Sequence, residues 1–309
     1  VETRRIGSLD VSVVGLGCNN FGARLDAART AAVVDAALEA GVNFFDTADV
    51  YGKGQSEEFL GRALADRRAN VIIATKFGKP MDEARRGARP EYIREAAEAS
   101  LRRLGTDYID LYQIHEPDPS VPIEETLGAL DELVRAGKVR EIGCSNFSVE
   151  QLREGEAAAA RAGTARFVSI QNEYSLLHRD PERDVLPECE RTGVALIPYF
   201  PLASGLLTGK YHLGEPAPAG TRLAAGGRYA TLLEEENMRR VEALRAFAES
   251  RQHTLLALAI SWVLTPPAVA SVIAGATSPE QVRSNAAAGG WRLSAEELAE
   301  VDRIVAPPR

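Results

Sequence analysis

Gly15-Leu16-Gly17-Cys18-Asn19-Asn20-Phe21-Gly22 closes the first apolar run of the chain, and the choice of fold turns on it. A doubly wound dinucleotide-binding sheet carries GxGxxG here, its third glycine letting helix and strand pack closely. Asn20 stands where that glycine belongs. The other architecture open to alternating strands and helices is a closed (β/α)8 barrel, so the run reads as the first stave of a TIM barrel.

Seven more apolar runs follow: Val42 to Phe45, Val71 to Thr75, Ile109 to Ile114, Arg140 to Gly143, Phe167 to Gln171, Val194 to Pro198 and Ala270 to Ala274. With Val11 to Leu16 they make eight. Their starts lie 31, 29, 38, 31, 27, 27 and 76 residues apart, close to one strand-loop-helix-loop unit in every gap but the last. The runs are too continuously apolar for one wet face, which predicts a parallel sheet covered by helices. Asp26 and Gly41, Pro90 and Gly105, and Pro122 and Gly137 bracket three of those helices. Ser148 with Gln151, Ser278 with Gln281 and Ser294 with Glu297 read as capping boxes that open three more. In the last gap, Leu213 to Tyr229 is rich in Gly, Ala and Pro without apolar periodicity, while Leu232 to Glu249 and Thr254 to Leu264 read as helices. A long mobile loop is therefore expected after the seventh strand of one barrel domain spanning residues 1–309.

Composition narrows the partners. The chain has 309 residues, 45% hydrophobic and 26% charged, with 36 Lys and Arg against 44 Asp and Glu, a net charge of −8. Without a basic run, binding to nucleic acid or to anionic membrane is not expected, and a small soluble substrate is. Cys18, Cys144 and Cys189 are odd in number and scattered, which is neither a disulfide framework nor a CxxC motif and suits a reducing cytoplasm. Thr254 to Leu264 and Ala268 to Ala276 fall short of the roughly 18 apolar residues of a membrane span. Val1 to Asp10 is charged and does not read as a signal peptide.

Barrel active sites lie where strands end, so the polar residue after each run is informative. Asp46 follows the second, with Tyr51 five residues on. Lys76 follows the third and His115 the fourth. Ser145 and Asn146, then Gln171 and Asn172, then Tyr199 follow the next three. Singly, Asp46 reads as a turn cap, Tyr51 as a packing residue and His115 equally as a core histidine. Lys76 is one of five lysines and follows a largely apolar strand, so its ammonium needs an anion, which Asp46 on the neighbouring strand supplies. Four histidines without HxH or HExxH do not make a barrel metal site, and GxSxG is absent. Cys144, inside a strand, reads as a packed thiol. What remains is acid/base chemistry on a carbonyl: a phenol favoured by a nearby cation as donor, and an imidazole to hold the oxygen.

Phe44-Phe45-Asp46-Thr47-Ala48-Asp49-Val50-Tyr51-Gly52, Ala74-Thr75-Lys76 and Tyr112-Gln113-Ile114-His115 resemble the aldo-keto reductase signature in order and spacing. So do Gly143-Cys144-Ser145-Asn146-Phe147, Gln171-Asn172-Glu173-Tyr174, Tyr199-Phe200-Pro201-Leu202 and Gly275-Ala276-Thr277-Ser278, and the likeness runs from Val13 to about Asn285. The resemblance implies a (β/α)8 barrel behind a short N-terminal β-hairpin, with a nicotinamide cofactor, usually NADPH, bound without a Rossmann fold. It makes Tyr51 the general acid, Lys76 and Asp46 its tuning pair, and His115 the substrate-orienting residue. Ser145, Asn146 and Gln171 match the residues that hold the carboxamide, and Tyr199 the aromatic that stacks on the nicotinamide. Leu202, Ser204, Leu206 and Lys210 match the loop over the pyrophosphate. Gly275, Thr277, Ser278, Gln281, Arg283 and Asn285 match the turn around the adenosine end. Many relatives carry Lys where this chain has Gly275, so NADPH is expected with a modest preference that rests on Arg283, and NADH more weakly. The sequence ends at Arg309 without the long C-terminal loop of some relatives, which leaves Asn20, Val50, Phe77 and Glu116 as substrate-contact candidates. Two activities fit: an NADPH-dependent reductase of small aldehydes or ketones, or a nicotinamide-nucleotide-sensing regulatory subunit with slow turnover.

Overall fold

The computed structural model describes residues 2–306. Its first element is an antiparallel hairpin, β1 (Thr3–Ile6) and β2 (Leu9–Ser12). Eight parallel strands follow: β3 (Val14–Gly17), β4 (Phe44–Asp46), β5 (Ile72–Phe77), β6 (Ile109–Ile114), β7 (Val139–Ser145), β8 (Phe167–Gln171), β9 (Ala195–Leu196) and β10 (Val272–Gly275). They pair in the order β10-β3-β4-β5-β6-β7-β8-β9. The ring closes where Leu196 bridges Val269, its amide donating to Ala268 O at 2.8 Å and its carbonyl accepting from the Ala270 amide at 3.0 Å. This is the expected (β/α)8 barrel with its hairpin.

One apolar run divides in two. Val11 to Leu16 contains both the end of β2 and most of β3, because both are buried and Val13 between them is buried as well. β2 leads directly into the N-terminal end of β3. There the hairpin packs Ile6, Leu9 and Val11 against the apolar residues Phe44, Leu111, Ala195 and Ile197.

Helix boundaries follow local chemistry. Asp26 Oδ1 accepts from the Arg29 amide and starts the helix Ala27–Glu39. Pro90 opens Pro90–Leu104, which Gly105 ends in the left-handed region. The Ser148 and Ser294 boxes are complete. At Ser278 only half forms: its hydroxyl accepts from the Gln281 amide, but Gln281 Oε1 turns to the Thr277 amide at 2.8 Å. The segment after β9 contains a tight helical turn, Ala203–Thr208, and the long helix starts at Glu235, later than periodicity suggested. It is also better anchored than its composition implies, since Leu206, Leu207, Tyr211 and Leu223 are buried. Arg245 holds Tyr211 O at 2.6 Å, and the Leu213 amide donates to Glu242.

Candidate active site

Parallel register sets the strand ends level. Gly17 pairs with Asp46, Lys76 with Gln113, Gln113 with Gly143, and Ser145 with Gln171. The carboxylate, the ammonium and the amides therefore meet at the C-terminal mouth. Lys76 Nζ donates to Asp46 Oδ1 at 2.5 Å and to Thr47 O at 2.8 Å. Asp46 Oδ2 accepts from Gln171 Nε2 at 2.9 Å and Gln113 Nε2 at 3.3 Å. Burial alone would strip Lys76 of its proton, but Asp46 and Tyr51 outweigh it and hold the ammonium above its ordinary range.

The Tyr51 hydroxyl faces Lys76, whose ammonium lies 5.4 Å from the Tyr51 ring centre. Burial raises the phenol above its ordinary value while Lys76 pulls it down, so Tyr51 keeps its proton beside a cation ready to stabilise its loss. The His115 ring meets Tyr51 edge-on, centroids 5.8 Å apart. Burial first, then Lys76 and Lys79, push the imidazole down to about 2. It is neutral at any working pH and orients rather than ionises. Its buried Nδ1 has no partner among the described residues.

These groups sit at one end of a cavity of about 1060 Å³, above the roughly 300–1,000 Å³ usual for small-ligand sites. From the neighbouring strand ends, Ser145 Oγ donates to Gln171 O at 2.8 Å and Asn146 Nδ2 to His115 O at 2.9 Å. Tyr199 donates to Asn146 Oδ1 at 2.8 Å. Asn146, Phe200, Ala203 and Ser204 all take positive φ at this rim, backbone strain of the kind that gathers at ligand sites. Ser204 Oγ is buried without a hydrogen bond among the described residues. Farther along, Lys210 and Arg222 are lowered by burial and by the repulsion of Arg24 and, for Lys210, of Arg222. Arg222 reaches Asn20 Oδ1 at 3.3 Å, and Asn20 Nδ2 donates to Ala276 O at 3.1 Å. Cations crowded together in a cavity that also holds an orphaned hydroxyl fit a polyanion such as a dinucleotide diphosphate.

Of the sequence candidates, Asn20, Asp46, Val50, Tyr51, His115, Glu116, Ser145, Asn146, Gln171, Tyr199, Leu202, Ser204, Lys210, Gly275, Thr277, Gln281 and Asn285 line this cavity. Four others do not. Phe77 is fully buried against Tyr112 at 4.8 Å, because it is the last residue of β5 and its side chain turns into the helix layer. Leu206 is packed into the core as an anchor of its loop. Ser278 spends its hydroxyl on capping, and Arg283 pairs with Glu39 at 3.0 Å on the outer face. Arg24, Lys79, Thr208, Arg222 and Ser284 line the wall although the motifs did not point to them. Arg222 carried one signal: it is a cation in a stretch otherwise rich in Gly, Ala and Pro.

Residues 13–306 match the model of the aldo/keto reductase family. The chain belongs to the aldo/keto reductase family. It is 36% identical over 304 residues to a probable aldo-keto reductase of Glycine max, covering 96% of this chain and 86% of that protein. A probable voltage-gated potassium channel subunit beta of Arabidopsis thaliana is 36% identical over 288 residues, covering 90% of this chain and 87% of that one. A solved glycerol dehydrogenase of Gluconobacter oxydans superposes with a TM-score of 0.85 at 34% identity, covering 98% of this chain and 95% of that one. An aldo/keto reductase is an oxidoreductase that works with a nicotinamide cofactor. Among the described residues no helix is long and apolar enough to cross a membrane, and no cluster could hold a metal ion.

Proposed function

We propose that the protein is an NADPH-dependent reductase of small aldehydes and ketones in which Tyr51 gives the proton. The observation that carries this reading is the Tyr51–Lys76–Asp46 chain beside a neutral His115, at one end of a cavity whose other walls suit an anionic cofactor. The reduced nicotinamide supplies a hydride when bound. A carbonyl oxygen seated between the Tyr51 hydroxyl and the imidazole is polarised by both. Tyr51 passes its proton to that oxygen, Lys76 stabilises the phenolate left behind, and Asp46 keeps Lys76 charged. Ser145, Asn146 and Gln171 would hold the carboxamide, Tyr199 the nicotinamide face, and Leu202, Ser204, Lys210 and Arg222 the diphosphate. Gly275, Thr277, Gln281 and Asn285 would surround the adenosine.

Polar side chains beside His115, Lys79 and Glu116, favour a small hydroxylated carbonyl over a bulky apolar one. The glycerol dehydrogenase neighbour supports that choice. A second reading, a nicotinamide sensor that turns over slowly, is favoured by the potassium channel subunit relatives. One assay separates the two: steady-state reduction of glyceraldehyde and of a nitrobenzaldehyde with NADPH and with NADH. Many turnovers with an NADPH preference of about threefold are expected. One oxidation followed by slow release would favour the sensor, and no oxidation of either cofactor would overturn both.

A further inference from the structure

Three residues after Asp46, the same loop carries a second buried carboxyl group. Asp49 is 1% exposed, and neither of its oxygens accepts a hydrogen bond of ordinary geometry, though the Val50 amide and the Tyr92 hydroxyl face it. The contrast with Asp46, which accepts from Lys76, Gln113 and Gln171, is complete. Glu57, fully buried on the helix Gln55–Leu64, sets a like charge beside it. Both Glu57 oxygens are already engaged, by Thr75 Oγ1 at 2.6 Å and Arg103 Nε at 2.6 Å. The groups facing Asp49 are thus Glu57, then Tyr92 and Arg103 from the helix Pro90–Leu104, and the unpartnered Tyr112 hydroxyl of β6. A carboxylate with no well-formed hydrogen bond, next to another carboxylate in a dry seat, relieves its cost by keeping a proton. Burial, with Glu57 second, pushes Asp49 up to about 7.

The loop ties this group to the acid. The Asp49 amide donates to Lys76 O at 3.1 Å and the Tyr51 amide to Ala48 O at 3.2 Å. The chain then turns through positive φ at Gly52, Lys53 and Gly54, and a Cβ on Gly54 would fall 2.8 Å from Arg103 Cδ. Arg103 thus packs against Gly54 in the turn after Tyr51 and also sets its charge toward Asp49. We propose that Asp49 is a positioning residue for Tyr51: uncharged, it stays in its seat and holds the hydroxyl on Lys76, and on ionising it shifts the loop and slows proton transfer. The proposal rests on Tyr51 being the proton donor.

The test is a pH series of kcat and KM for the intact protein and for Asp49→Asn, with Tm measured alongside. In the parent, kcat falls about tenfold between roughly pH 6 and 8.5 with KM nearly constant, and Asp49→Asn loses this limb. A carboxyl raised in the folded state costs stability as pH climbs from its ordinary value near 4 to about 7, and no more above it. The Tm of Asp49→Asn should therefore gain on the parent by a few degrees across that window and then run parallel. Asp49→Ser, which also carries no charge, is the second variant and should lose the same limb should the first not fold. Parent turnover with superimposed profiles in both variants overturns the role alone. A parent that turns over no carbonyl overturns the reductase reading and the role with it.

Discussion

Lys76 beneath the floor of the cavity is clasped by Asp46 and Thr47, whereas Lys210 stands on the cover, the long segment after β9 that forms the cavity's other wall. There Lys210 makes no ion pair among the described residues and is opposed by Arg222 and Arg24. The charge of the floor is neutralised from within: the Asp46 carboxylate takes the Lys76 ammonium and the Gln113 and Gln171 amides before any ligand arrives. The cover is held at its root by Leu206, Leu207 and Tyr211, with Leu223 farther along, but its charges wait for a counter-charge from outside. Asp46 and Lys76 stand on strands and Tyr51 and His115 on the short turns that leave them, whereas Lys210 and Arg222 stand on a long loop.

The largest effect that would break this contrast is at the floor. Tyr51→Phe should lower carbonyl reduction about 10³-fold and leave cofactor affinity nearly intact, by fluorescence titration. Lys76→Met should do comparable damage and also cost about 3 kcal/mol of stability in urea melts, because Asp46 is left buried and unpaired. A Lys76→Met protein as stable as the parent would show the floor not to be self-neutralised.

The cover should respond in binding instead of rate. Arg222→Ala should weaken NADPH about tenfold with kcat within twofold, since it removes one charge-assisted contact and one tie to Asn20. Limited proteolysis between Leu213 and Tyr229 should slow on saturation with NADPH. Equal cutting with and without it would mean the cover is ordered by its apolar anchors alone.

The smallest effect sharpens the comparison at its edge. Arg283 is paired with Glu39 and stands 53% exposed, so its contribution to NADPH preference should be small. Glu39→Gln, which frees it, should raise the NADPH to NADH ratio about two- to threefold, and Arg283→Ala should lower it by no more. A tenfold loss in Arg283→Ala would show that the arginine abandons Glu39 for the ligand.

Much of this arrangement was legible because strand ends and helix caps are local. A polar residue after an apolar run marks the mouth, and Ser148 or Pro90 announces a helix without reference to the rest of the chain. The split at Val13 was hidden because hairpin and stave are both buried, leaving no change of pattern between them. Phe77 was misplaced for a related reason: the motif gives its position on β5 but not the face to which its side chain turns. Arg283 and Arg222 depended on partners far off in sequence, Glu39 and Asn20, which no local rule supplies. Asp49 could be read as part of a motif, yet its lack of a well-formed hydrogen bond is visible only once three other elements close around it.

β9 has two residues, and the last joint of the barrel is made by the few amides around Leu196. In hydrogen-exchange terms the ring has a seam, and its protection there is set by local opening instead of global unfolding. The chain leaving β9 runs through Pro198 and Tyr199 straight into the cover. Slack at the seam is thus handed to the segment that, on the proposed function, parts to let a dinucleotide out, while β5, β6 and β7, the longest strands, remain shut.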